Sequence, residues 1–189
     1  MNKICRTKSR IKRTGEVMTP LCLVESILSD LPKDVWDPSK TFCDPSAGDG
    51  NFLIRVVAFK IYKGSTVKQA LETTYGVEYM IDNVRHARQR VLINAFAAQS
   101  LKNNYDEVLP HLSHEDECNL SNVKGFKAFK KEYSAIVKRT IIWHDALTYH
   151  FNFDGTVTES KYEKQPEMKG AAPVVDINLE RLKRSGIEV

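Results

Sequence analysis

Asp44-Pro45-Ser46-Ala47-Gly48-Asp49-Gly50-Asn51-Phe52 stands where a short β-prone run gives way to a helical pattern, and its reading decides the fold. Upstream, Lys40-Thr41-Phe42-Cys43 has strand character, and Asp44-Pro45 ends it because a proline nitrogen has no hydrogen to give to a sheet ladder. Downstream, Phe52, Val56, Phe59 and Ile61 fall on a mostly apolar helix that stops at Gly64. The expectation is a strand ending at Asp44, a glycine turn and a helix. Gly48 and Gly50 can take backbone angles closed to other residues and let the main chain approach a bound molecule, which suits a nucleoside. A lone Gly-x-Gly also serves ordinary tight turns, so its neighbours must decide.

Working outward, Thr19-Pro20 reads as the start of a helix, with threonine as N-cap and proline at the first helical position. Leu21, Val24, Leu28 and Leu31 give that helix one buried face, and it ends near Leu31. Thr66-x-x-Gln69 has the form of a capping box. Residues 73–78 read as a second strand, and residues 82 to about 103 as a long helix with Val84, Ala87, Val91, Ala95, Ala98 and Leu101 on one spacing. The polar stretch 104–133 resists assignment beyond a short helix around 126–133. Residues 140–143 form a third strand candidate that ends at His144-Asp145, and Ala171 to Val175 a fourth, followed by a short helix through Leu179 and Leu182. Strands alternating with helices argue for a parallel sheet whose ligands bind outside the carboxyl ends of the strands.

The chain has 189 residues, of which 42% are hydrophobic, enough for one domain with a real core. Its net charge of +4 is unevenly placed: Lys3, Arg6, Lys8, Arg10, Lys12 and Arg13 crowd the start with no acidic residue among them. Residues 1–14 are therefore read as a basic arm able to touch phosphates or simply solvated. Residues 15–153 form the ligand-binding domain and 154–189 a polar tail. Cys5, Cys22, Cys43 and Cys118 form no Cys-x-x-Cys pair, and no apolar run approaches the roughly 20 residues that span a bilayer. A reduced, cytoplasmic protein without a membrane partner is the expectation. His111-x-x-His114-x-x-x-Cys118 has metal-ligating residue types but no partner pair, and is read as a solvated loop.

The strand ends carry carboxylates. Glu78 closes the second strand, where it can accept hydrogen bonds from both ribose hydroxyls of a nucleoside held by the first turn. Asp145 closes the third, where it can accept the amino group of an adenine. Each alone also fits a helix cap or a loop carboxylate; together with the glycine turn, they occupy successive strand ends.

These residues resemble the S-adenosylmethionine-dependent DNA methyltransferases, in particular the adenine-N6 type with its cofactor motifs first in the chain. Asp44-Pro45-Ser46-Ala47-Gly48-Asp49-Gly50-Asn51-Phe52 is similar to their glycine-rich motif, (D/N)PxxGxGxF, and Gly15-Glu16-Val17-Met18-Thr19-Pro20 to their upstream GxxxTP segment, with Met18 in place of the usual aromatic. The resemblance covers roughly residues 15 to 150. It implies an α/β, Rossmann-like class I methyltransferase fold: a mostly parallel sheet with helices on both faces, truncated at its C-terminal side. It implies a site for S-adenosylmethionine, or S-adenosylhomocysteine, built from Thr19, Pro20, Asp44, Pro45, Ser46, Ala47, Gly48, Gly50, Asn51 and Phe52. Glu78 would bind the ribose, Tyr79 and Met80 would flank the adenine, and Asp145, with Ala146 and Leu147, would meet its amino group.

Adenine-N6 transfer also requires an acceptor for the amino hydrogens and an aromatic surface for the extruded base. The family uses (D/N)PP(Y/F), which occurs nowhere in this sequence; the only prolines after Asp145 are Pro166 and Pro173, and 44 residues follow it. Trp143 and Tyr149 flank Asp145 and can stack on a purine or pack in the rim. The expectation is a cofactor-binding domain that is catalytically silent alone or completed by a partner chain supplying the catalytic and target-recognition parts. An active small DNA (adenine-N6) methyltransferase touching DNA through its basic arm, and a non-enzymatic interaction module of a restriction-modification or regulatory complex, are the alternatives.

Overall fold

A computed structural model describes residues 8–100 and 112–159. The chain divides into two compact units, whose described parts are 8–17 in the smaller and 18–100 with 112–159 in the larger. The smaller holds α1 (Lys8–Thr14), in which Arg10 pairs with Glu16 at 2.5 Å and the Thr14 hydroxyl donates to the Arg10 carbonyl. The larger runs α2 (Leu21–Ser29), a 3-10 turn (Lys33–Trp36), β1 (Phe42–Asp44), α3 (Asn51–Tyr62), α4 (Val67–Glu72), β2 (Thr74–Glu78), α5 (Ile81–Ser100), α6 (His114–Ser121), α7 (Phe126–Thr140) and β3 (Ile141–Trp143). The expected fourth strand at Ala171 to Val175, Lys3, Arg6, His111, and the last turn of the long helix lie outside the described residues.

The three strands form one parallel sheet in the order β1-β2-β3, so each connection must climb back across the sheet through helices. Register separates the two faces. Phe42 stands beside Thr74, Asp44 beside Gly76, Gly76 beside Ile141 and Glu78 beside Trp143. Ile141 of this set packs with Leu53 and Val57 of α3, Leu71 of α4, Ala87 and Val91 of α5, and Phe129 and Val137 of α7. Gly76 has to be glycine here: an added Cβ would lie 2.7 Å from Leu53 Cδ1 and 3.2 Å from Ala47 Cβ. On the alternate face, Val77 and Ile142 cluster with Tyr149, and Ala146, Phe153 and Val157 pack around them.

That second cluster contains no residue of a described helix, which differs from the expectation of helices on both faces. The reason lies in the strand order: both crossovers step in one direction, and right-handed crossovers then lay every connecting helix on the same side. The segment after β3 closes the opposite side instead. It does so with a tight backbone, Phe151 and Phe153 having φ of 52° and 45°, and with the Phe153 ring 4.4 Å from that of Tyr75. Residue 159 also bridges in parallel to Trp143 at the outer edge of β3, while the outer edge of β1 has no partner strand among the described residues.

At the other end of the strands lies Lys60 of α3, fully buried. Its ammonium donates to the Lys40 carbonyl at 2.5 Å and to the Thr73 hydroxyl, tying the start of β1 to the start of β2, and lies 5.4 Å from the centre of the Phe42 ring. Burial pulls its pKa down to about 8, against the attraction of Asp37.

Local signals place most elements. The Thr66–Gln69 capping box is complete, with the Gln69 N–H donating to Thr66 Oγ1 at 3.2 Å and Gln69 Oε1 accepting the Thr66 N–H at 3.0 Å. Two readings change. Thr19 does not cap α2: the Pro20 carbonyl accepts the first helical hydrogen bonds, and no side chain caps the helix. The stretch 104–133 also holds α6, capped reciprocally by Ser113 and Asp116, and the short helix expected around 126–133 is the start of a 15-residue α7 that runs into β3 without a loop.

Candidate functional site

The turn after β1 is knitted from main-chain donors. The Ser46 N–H donates to Asp44 Oδ1 at 3.0 Å, the Ala47 N–H to the Val77 carbonyl at 3.0 Å, and the Gly50 N–H to the Ala47 carbonyl at 2.8 Å. Gly48 has φ +55° and Gly50 φ +90°, both left-handed. Gly50 is also where α5 comes close, since an added Cβ would sit 3.0 Å from Ala87 Cβ and 3.2 Å from its Cα. Over Gly48 lies Met18, whose Cε is 3.4 Å from where a Cβ would stand. Burial pushes the Asp44 carboxyl above its ordinary range, with the Ser46 N–H opposing. Burial, with Asp44 beside it, likewise raises the Cys43 thiol, which keeps it protonated rather than nucleophilic.

Glu78 joins this turn to the next strand end. Its Oε2 accepts the Gly48 N–H at 2.8 Å, and its Oε1 accepts the Met80 N–H at 2.8 Å and Asn83 Nδ2 at 3.4 Å. It is 8% exposed, as is Met80, and the Tyr79 carbonyl accepts the Trp143 indole N–H at 2.9 Å. The His144 N–H donates to the Glu78 carbonyl at 3.1 Å, so the third strand end is stitched to the second. Asp145 follows, half-buried, its Oδ1 accepting the Leu147 N–H at 2.9 Å and its carbonyl those of Thr148 and Tyr149. Ala146 is half-buried and Leu147 is 93% exposed.

The three strand ends thus converge at one edge of the sheet, and Thr19 reaches it through its carbonyl, which accepts Asn51 Nδ2 at 2.8 Å. Pro20, Pro45 and Ser46 are exposed, and Ala47 is buried. Phe52, expected in the site, packs instead beside Val24, Leu28, Trp36 and Val56 under α2. Beneath the turn lies a group that the sequence reading passed over. Arg90 donates to the Asp49 carbonyl at 3.0 Å and Asn51 Oδ1 at 2.7 Å, pairs with Asp49 Oδ1 at 3.2 Å, and sets Nε 3.0 Å from both carboxylate oxygens of Glu117. Arg90 and Glu117, 6% and 1% exposed, sit 27 residues apart, and charged residues on a long helix ordinarily read as its solvent face.

The arrangement sets carboxylates at two strand ends beside a left-handed glycine turn, with the flexible apolar Met18 over Gly48. No group of three His, Cys, Asp or Glu side chains suited to a metal occurs among the described residues. Nor is any described helix long and apolar enough to cross a membrane. Comparison of the chain with protein-family models, curated proteins and solved structures finds no match.

Proposed function

We propose that the chain binds S-adenosylmethionine, or its product S-adenosylhomocysteine, on a Rossmann-like class I methyltransferase scaffold, and that alone it is catalytically silent. One observation carries this reading: the left-handed glycine turn after β1 is held by the carboxylate that ends β2, with Asp145 two residues past β3 at the same edge. Parallel α/β sheets bind ligands at such carboxyl ends. In this reading the Gly48–Gly50 main chain lies against the ligand, Met18 covers its methionine end, Glu78 accepts from the ribose hydroxyls, and Asp145 accepts the adenine amino group. Tyr79 and Met80 flank the ring.

Silence follows from the sequence, which lacks (D/N)PP(Y/F) and so has no evident acceptor for an adenine amino group undergoing transfer. Among the described residues the outer edge of β1 has no partner strand, which leaves a place where a partner chain could add strands. DNA contact through the arm rests on Lys8 and Lys12, both exposed, while Arg10 is taken up by Glu16. The reading implies a reduced, cytoplasmic setting. Calorimetric titration with S-adenosylmethionine tests it: heat from the wild type, weakened in Glu78→Ala and Asp145→Ala, is expected. Heat that survives both substitutions would move the site elsewhere, and no heat from the wild type would leave only the interaction-module reading.

A further inference from the structure

We infer that Arg90 is the positioning residue of the glycine turn and links ligand occupancy there to the seating of α6. This rests on the cofactor reading above. The planar guanidinium addresses two clients at once. One edge grips the Asp49 carbonyl, the Asp49 carboxylate and Asn51 Oδ1, the residues on either side of Gly50, and the Nε edge sits 3.0 Å from both oxygens of Glu117 on α6. Asn94, fully buried, braces the same carboxylate at 3.1 Å while donating to the Arg90 carbonyl. Asn51 passes the restraint on to Thr19.

Stability alone does not require such a group, because a buried ion pair contributes little over well-packed apolar residues of similar volume. The nine buried positions on α5 other than Arg90 and Asn94 carry no charge, and Ala87, Val91 and Ala95 among them already pack in the core with α3 and α7. What the guanidinium adds is direction. Glu78 and the main-chain bonds hold the turn up to Gly50, and Arg90 Nη1, which touches both 49 and 51, fixes the residues on either side of that flexible glycine. Because Nε of the same guanidinium is held by Glu117 on α6, displacing α6 shifts the turn, and by reciprocity a ligand that fixes the turn must tighten α6.

The test uses the full chain and S-adenosylmethionine. Its affinity is measured by calorimetry for wild type, Arg90→Lys and the double variant Arg90→Met/Glu117→Leu, in which both partners become apolar. Amide hydrogen exchange of α6 is followed with and without S-adenosylmethionine. The expected result is that the cofactor slows α6 exchange in the wild type, that the folded double variant binds ~10-fold more weakly, and that it no longer transmits protection. Lysine, a point charge, falls between. If the double variant does not fold, isosteric Glu117→Gln carries the same comparison, with a ~3-fold loss and weaker protection. Wild-type affinity in the folded variants, or binding that leaves α6 exchange unchanged, would overturn the linkage alone. Absence of binding by the wild type would overturn the cofactor reading and the linkage with it.

Discussion

The first two strand ends and the third are built differently. At β1 and β2 the turn is fixed before any ligand arrives: Gly48 and Met80 give their N–H groups to one nearly buried carboxylate, and Arg90 grips the main chain from below. At β3, Asp145 serves only its own loop, through Leu147, Thr148 and Tyr149, and Leu147 stands in solvent. The difference teaches where binding energy has to come from. A preorganised turn loses little freedom on binding, while an exposed loop must be ordered by the ligand it meets.

The largest effect that would break this contrast is at Gly50. Alanine there would have to hold φ +90° with its Cβ 3.0 Å from Ala87, and loss of about 3 kcal/mol in urea denaturation is expected from strain and overpacking together. Next comes Glu78→Ala, which leaves the Gly48 and Met80 N–H groups without their acceptor in a buried place; about 2 kcal/mol is expected by the same measurement.

The sequence made the turn itself legible, and for a physical reason: glycines, an Asp-Pro stop and a Thr-x-x-Gln box are local signals whose partners lie within a few residues. Arg90 was not legible, since Asp49, Asn51 and Glu117 are brought to it only by the packing of α3, α5 and α6. The same holds for Lys60, whose acceptors are 20 and 13 residues away. The stretch 104–133 hid α6 because its box closes with Asp116 rather than Glu or Gln. Among the described residues helix cover is one-sided, and that followed from the order of the strands, which no single segment encodes. The carboxylates at the strand ends were found by position, but their commitment to backbone donors was not.

Lys60 gives a second contrast, between the two ends of the strands. Its folded-state pKa of about 8 lies below the ordinary 10.5, so between those values the unfolded chain binds more protons than the folded one. Stability is therefore expected to rise as pH goes from 8 to 10.5, by ~1–3 kcal/mol from this group. In Lys60→Met that rise should vanish from the pH series of urea midpoints; an unchanged rise would place its origin elsewhere. The smallest effect on folding is expected at Asp145→Ala, ~0.5 kcal/mol for one exposed hydrogen bond to Leu147, alongside a ~10-fold loss of S-adenosylmethionine affinity. A stability loss as large as that of Glu78→Ala would erase the distinction between the strand ends.

The most direct measurement of the central claim is heteronuclear NMR of the labelled full chain titrated with S-adenosylmethionine, read at the Gly48 and Met80 amides, the two N–H groups that Glu78 holds. Both resonances are expected to move together and saturate, with Gly50 and Leu147 following. A titration that leaves Gly48 and Met80 in place at saturating cofactor would contradict the account.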